Sequence, residues 1–259
     1  MTAAPCGKVY LIGAGPGDIE LLTLKAVRVL SAVDVIMVDD LVNPEVLVYA
    51  SPEAEILKVG KRGGRVSTAQ ALINEQMVLF ARSGKTVARV KGGDPLIFGR
   101  GGEELDYLQA AGVDAEVVSG ITAGIAVPAT LGVSLTHRNY SHSVTFVTGA
   151  SKDDGQPDWQ TLAKSGSTLV IYMGTVNLPF IARQLMEGGL PPSTPAAAVY
   201  NGTLAAQQEI ITTLACLSEA VRKSGFASPT LVVVGKVVSM ARTADAPGGA
   251  TRQPVLPLA

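Results

Sequence analysis

The stretch Val87-Ala88-Arg89-Val90-Lys91-Gly92-Gly93-Asp94-Pro95-Leu96-Ile97-Phe98-Gly99-Arg100-Gly101-Gly102 decides how the chain is read. A short β-branched run stops at two glycines, an aspartate and a proline, and a helix-like pattern begins at Glu103. Val87 to Val90 reads as a buried strand, because the run is short and bounded by turn residues. In an open α/β sheet, ligands bind beyond the carboxyl ends of the strands. Glycine at such a place lets the backbone come close to a ligand, at an entropic cost that a plain connector has no reason to carry. Taken alone, Gly92-Gly93-Asp94-Pro95 reads first as a type I or II turn with Asp and Pro as turn formers. Its meaning depends on the loops that accompany it.

A chain of 259 residues is one large domain or two ordinary ones. Apolar residues make up 47% and charged residues 17%, which is globular composition with ample core. The formal net charge is −1, so nothing global draws nucleic acid or an anionic membrane, and affinity for anions must come from local clusters. Cys6 and Cys216 form no disulfide framework, and His137 and His142 share no structural zinc spacing with them. No metal site is expected. Met1 to Gly7 has neither a basic n-region nor an apolar h-region, and no apolar run has the length of a membrane span. A reduced, soluble, cytoplasmic protein is expected.

Outward from the opening stretch, strands alternate with helices. Lys8–Ile12 reads as a strand running into Gly13-Ala14-Gly15-Pro16-Gly17-Asp18, followed by helical spacing from Leu21 to Leu30 with Asp18 as N-cap. The loop resembles a dinucleotide fingerprint, but Asp18 would repel a pyrophosphate and Pro16 lacks an N–H to donate to one. Further strands are expected at 34–38, 55–59 and 115–118. Ser67 to Gln70 matches a capping box for a helix closed by Gly84, and another helix spans 103–111 with Gly112 as its stop. The pattern restarts at Ser143, with strands at 144–148, 168–173, 196–200, 209–213 and 230–234 and helices at 159–164, 178–187 and 217–222. Asn201-Gly202 is a turn signal. This implies two α/β lobes, residues 1–140 and 141–241, with a tail at 242–259 that has little to bury and is expected to be disordered.

Six strand-end loops share an unusual composition: 13–18, 39–42, 60–65, 91–100, 119–124 and 173–175. In a parallel sheet the carboxyl ends lie on one edge, so these loops should face one cleft. It would be glycine-rich, dotted with Asp, and rimmed by Lys61, Arg62, Arg65, Lys91, Arg100 and Arg138. Such a cleft suits a small cationic or zwitterionic cofactor inside and a polyanionic substrate at the rim.

Val9 to Asp18 resembles the opening signature of the tetrapyrrole methylases. Lys91–Gly99 resembles their GGDP motif, Ser119–Ala123 their small-residue loop, and Ile171–Gly174 their Y-M-G segment. Gly60-Lys61-Arg62-Gly63-Gly64, Phe98 to Glu104, and Leu135 to Arg138 are similar to the branch that C-methylates uroporphyrinogen III. The ordered set spans about residues 7 to 240. The resemblance implies a homodimer of two α/β lobes with the active site in the cleft between them. It also implies S-adenosylmethionine (SAM) as methyl donor and S-adenosylhomocysteine as product. The cofactor would be held by Pro16, Gly92, Gly93, Asp94, Ile97, Thr122, Ala123, Met173 and Gly202. Asp39 falls on the family's proton acceptor and Lys61 on its proton donor, although Lys61 suits a substrate carboxylate better. Arg100, Glu103 and Arg138 fall where members handle the macrocycle. The implied reaction methylates carbons 2 and 7, by way of precorrin-1, to give precorrin-2 for sirohaem, cobalamin or haem d1 synthesis.

The residues fit that chemistry by themselves. A sulfonium methyl is already electrophilic and needs no metal. An electron-rich pyrrole carbon must be aligned with it and then lose a proton, for which a carboxylate such as Asp39 suffices. Eight substrate carboxylates account for arginines on a nearly neutral protein. Three other readings stay open: a methylase of a later corrin precursor, a nicotinamide dehydrogenase, and a non-catalytic SAM sensor.

Overall fold

The computed structural model describes residues 6–60, 70–150 and 155–242. All of the expected tail after Arg242, the capping serine and threonine at 67 and 68, and the basic loop from Lys61 to Arg65 lie outside the described residues. Two compact units are present, one within Met1–Ala126 plus Tyr200–Gln208 and the other within Val127–Val199 plus Glu209–Ala259.

The first unit holds β1 (Val9–Gly13), α1 (Leu24–Leu30), β2 (Val35–Val38), β3 (Glu55–Lys58), α2 (Gln70–Arg82), β4 (Val87–Lys91), α3 (Gly101–Ala110) and β5 (Ala115–Val118). Its sheet has the order β3-β2-β4-β1-β5, and every pairing with a described register is parallel. The alternation of side chains across the strands produces two separate cores. Ile12, Ile36, Val38, Ala88 and Val90 pack with α1 on one face. Val9, Leu11, Val35, Met37 and Val87 pack with α2 and Leu108 of α3 on the other. The chain thus moves to one sheet edge with its connections on one face and returns with them on the opposite face, as right-handed crossovers require. Strand β4, central and buried throughout, is covered on both sides.

The second unit departs from the parallel plan. Strands β6 (Val144–Thr148), β7 (Thr168–Tyr172), β8 (Pro195–Tyr200), β9 (Gln208–Thr213) and β10 (Thr230–Val234) line up as β6-β7-β10-β8-β9. β6 and β7 are parallel, but β10 runs antiparallel to β7. This sheet is mixed, so the premise that all carboxyl ends share one edge holds only for the first unit. Between and beside the strands lie α5 (Trp159–Lys164), α6 (Leu178–Glu187) and α7 (Leu214–Ser224), and α4 (Ala123–Thr130) spans the division between the units.

Local chemistry explains where one expected helix moved. The Asp18 carboxylate accepts from Glu20 N at 3.0 Å, which closes a 3-10 turn over Ile19–Leu21 instead of an α-helix. Helix α1 starts later, at Leu24, where Thr23 Oγ1 accepts from Ala26 N at 3.2 Å. Leu21 and Leu22 therefore lie outside α1.

Three strand ends are held together by the absence of side chains. A Cβ on Gly120 would lie 2.2 Å from the Gly93 carbonyl oxygen and 2.7 Å from Gly13 Cα; one on Gly13 would lie 2.5 Å from Gly120 N. Gly93 and Gly15 also exchange backbone bonds of 2.7 and 3.2 Å. The loops after β1, β4 and β5 thus pack backbone to backbone. Since Gly120 has no positive φ, the demand there is purely steric. Gly120→Ala is expected to lower unfolding free energy by about 1–3 kcal/mol, the usual cost of overpacking; urea denaturation reads it.

Candidate functional site

Five loops leave the carboxyl edge of the first sheet, after β1, β2, β3, β4 and β5. Within this unit fall Pro16, Asp39, Gly92, Gly93, Asp94, Ile97, Arg100, Glu103, Thr122, Ala123 and Gly202. Met173 and Arg138 belong to the second unit. Lys61 is not among the described residues.

The loop after β1 is fixed from two directions. Asn43 Nδ2 donates to the Gly17 carbonyl at 2.8 Å, and Asp18 N donates to Thr203 Oγ1 at 3.0 Å. A Cβ on Gly17 would meet the Leu204 side chain at 2.9 Å. Pro16 and the segment around Gly202 are thereby brought together.

After β4 the roles divide. Gly93 (φ +68) and its neighbours Gly13 and Gly120 have structural reasons to be glycine. Asp94 is also committed: Oδ1 accepts from Leu96 N at 2.8 Å and Oδ2 from Gly120 N at 3.1 Å. Its carboxylate holds the loop rather than projecting free. Gly92 differs, since it has no positive φ and, among the described residues, a Cβ there would find nothing closer than 3.5 Å. Neither conformation nor packing requires glycine at 92, which leaves space for a ligand against the backbone. Ile97 lies partly exposed on the same loop, with its N–H on the Asp94 carbonyl at 3.3 Å.

Among the described residues, five that are not glycine adopt left-handed backbone: Phe98, Arg100, Met173, Asn201 and Thr203. Such strain gathers at functional sites. Arg100 and Met173 are candidate site residues, and Asn201 and Thr203 flank a third, Gly202. Met173 is also 52% exposed, which removes the plain core reading of a methionine at a strand end. The Arg100 guanidinium donates from Nε to both Glu103 oxygens, at 3.0 and 3.1 Å. These bonds hold the Glu103 carboxyl below its ordinary range, while Arg100 is raised by the same partner. Arg138 is exposed, and His137 serves its turn by accepting from Asn139 N at 3.1 Å.

One expectation is overturned outright. Lys91, anticipated at a cationic rim, has a side chain only 5% exposed. β4 places Arg89 and Lys91 two residues apart on the face covered by α2 and α3, and there they meet Glu104 of α3, which is fully buried. Glu104 Oε1 accepts from Arg89 Nε and Lys91 Nζ, both at 3.1 Å, and from Gln70 Nε2 at 2.9 Å. Arg89 Nη2 donates to Asp39 Oδ1 at 2.7 Å, and Lys91 Nζ lies 3.6 Å from Asp39 Oδ2. Arg89 and Glu104 escaped the sequence reading, because charged residues in a strand and in a helix's first turn read as solvated. The available signal was the period: positions 87, 89 and 91 share one face of a strand whose other residues are all buried types.

The sequence profile of the Tetrapyrrole (Corrin/Porphyrin) Methylases matches residues 8–218. The chain is 49% identical over 231 residues to the uroporphyrinogen-III C-methyltransferase of Pseudomonas aeruginosa, covering 89% of this chain and 94% of that one. It is 46% identical to the protein of the same name from Priestia megaterium, covering 90% and 99%. Against a siroheme synthase of Yersinia pestis it is 47% identical but spans only 49% of that longer protein. Among solved structures, the uroporphyrin-III C-methyltransferase of Thermus thermophilus in complex with S-adenosylhomocysteine superposes with a TM-score of 0.77. That match has 38% identity and covers 90% of this chain and 93% of that one. A cobalt precorrin-4 methyltransferase superposes at 0.79 with 29% identity, covering 89% and 95%.

A Cβ at position 92 separates ligand approach from packing. Gly92→Ala is expected to keep the unfolding free energy within about 1 kcal/mol of wild type, since no neighbour is displaced. Its SAM affinity should fall at least about tenfold, or about 1.4 kcal/mol, in calorimetric titration.

Proposed function

The chain belongs to the tetrapyrrole methylases, and we propose that within them it transfers methyl groups from SAM to uroporphyrinogen III. The observation that carries this reading is the similarity, across nearly their whole length, to proteins bearing that activity in their names. The higher superposition score of the precorrin-4 enzyme reflects a shared fold; identity favours the uroporphyrinogen branch. The loop Phe98 to Glu104, with Gly60-Lys61-Arg62-Gly63-Gly64, supports the same branch.

In this reading the product is precorrin-2, methylated at carbons 2 and 7, and it feeds sirohaem synthesis or another of its branches. The bound SAM supplies an electrophilic sulfonium methyl. Gly92 leaves its backbone open to the cofactor, while Gly93 and Asp94 shape the loop that presents it. Pro16, Ile97, Thr122, Ala123, Met173 and Gly202 complete the cofactor contacts. Arg100 pairs with a substrate carboxylate, for which Glu103 keeps its place in the free protein. Arg138 and Lys61 serve other carboxylates of the macrocycle. Asp39 accepts the proton lost from the methylated pyrrole carbon. A homodimer is the expected assembly, and sedimentation reads it.

Purified protein, SAM and uroporphyrinogen III under anaerobic conditions should give a product heavier by two methyl groups, read by mass. Unchanged substrate with intact SAM sinks the proposal, whereas SAM binding without turnover identifies a sensor. Arg100→Ala removes a charge-assisted bond worth about 1.5–3 kcal/mol. The KM for the tetrapyrrole should therefore rise about 10- to 100-fold, while the SAM Kd stays within about twofold of wild type.

A further inference from the structure

Four formal charges, two of each sign, meet under the carboxyl edge of the first sheet: Arg89, Lys91, Glu104 and Asp39. Three of the side chains are at most 5% exposed, and only Asp39, at 28%, reaches toward solvent. Burying such a cluster is a poor way to gain stability, because desolvation cancels much of the attraction. The same face of the sheet carries Val87, Met37 and Leu11, so apolar side chains could have occupied these positions.

The cluster's geometry is directed at one atom. Every nitrogen of the Arg89 guanidinium is engaged: Nη2 with Asp39, Nε with Glu104, and Nη1 with the carbonyls of Met37 and Val90 at 3.4 Å each. The guanidinium cannot swing, and Asp39 Oδ1 is fixed with it. Asp39 N also donates to the Val90 carbonyl at 3.1 Å, which pins its backbone to β4. Among the described residues, Oδ2 has only the longer approach of Lys91 and is the oxygen left to act. Glu104 Oε1 gathers three donors while Oε2, buried, has no hydrogen-bond partner among the described residues. An orphaned buried oxygen is costly. It is tolerated here because the other oxygen holds Arg89 and Lys91 at the spacing that brackets Asp39.

We infer that Arg89 and Glu104 are positioning residues for proton removal, acting through Asp39 and touching neither substrate nor cofactor. This rests on the reading of Asp39 as proton acceptor. Glu104 fixes the guanidinium and the ammonium, and they in turn aim the carboxylate. Misplacement of a reacting group by about 1 Å can cost about a hundredfold in rate.

A double-mutant cycle tests it, with Glu104→Gln and Asp39→Asn made singly and together and assayed in single turnover with enzyme in excess. Glu104→Gln should lower the rate at least tenfold while the Kd for SAM and for the tetrapyrrole change less than threefold. In the Asp39→Asn background the same substitution should change the rate less than threefold. Equal losses in both backgrounds would mean a structural role and overturn the inference, as would no loss in the first. If Asp39→Asn alone keeps the wild-type rate, Asp39 is not the acceptor and the underlying reading falls first. Should Glu104→Gln fail to fold, Arg89→Met with Glu104→Met replaces the buried pair by apolar side chains, and the same comparison of backgrounds applies. Arg89→Lys, which keeps the charge but loses the fork, should recover little of the rate.

Discussion

The carboxyl edge of the first sheet depends on a contact between backbones. Gly13, Gly93 and Gly120 come from three neighbouring strands and approach until a single methyl group would collide with a carbonyl or a Cα. Asp94 closes the contact, bonding its own loop with one oxygen and the next loop with the other. Every candidate position nearby inherits its place from this crossing. Gly92 borders it, Thr122 and Ala123 follow it, and the turn to Arg100 begins immediately after it. Glycine therefore does two separate jobs within two residues: Gly93 serves the protein, and Gly92 is open to a ligand.

Charge is arranged with equal economy. Arg89 and Lys91 are on a strand buried on both faces and are satisfied inside the unit, whereas Arg100 and Glu103 are satisfied at its surface. Consecutive carboxylates on α3, Glu103 and Glu104, thus point into different environments. One pairs with Arg100 at the surface, and the other with Arg89 and Lys91 in the interior. Helix geometry separates them by about 100° per residue, so a single helix start serves the surface and the interior together.

Much of this was legible in advance. The strands 115–118 and 144–148 and the helix 178–187 stand where β-branched runs and apolar spacing put them, because strong periodicity between clear stops leaves few alternatives. Helix α1 began later than its spacing suggested, since two side-chain caps, on Asp18 and Thr23, competed for the same segment. The antiparallel course of β10 was not legible: strand direction depends on where a crossover returns, and the local pattern is the same either way. The Arg89–Glu104 pair was hidden for another reason. Burial of a charge depends on a partner distant in sequence, and each member alone looks like a surface residue.

The left-handed residues have an implication for anyone seeking a hardier version of this protein. Phe98, Arg100, Met173, Asn201 and Thr203 each hold a conformation that glycine adopts at lower energy. A search for tolerance to heat would turn to them early and rewrite them as glycine. In doing so it would erase the guanidinium at 100 and the thioether at 173, two of the side chains proposed above to hold ligands. On that proposal, durability and recognition compete for the same few dihedral angles.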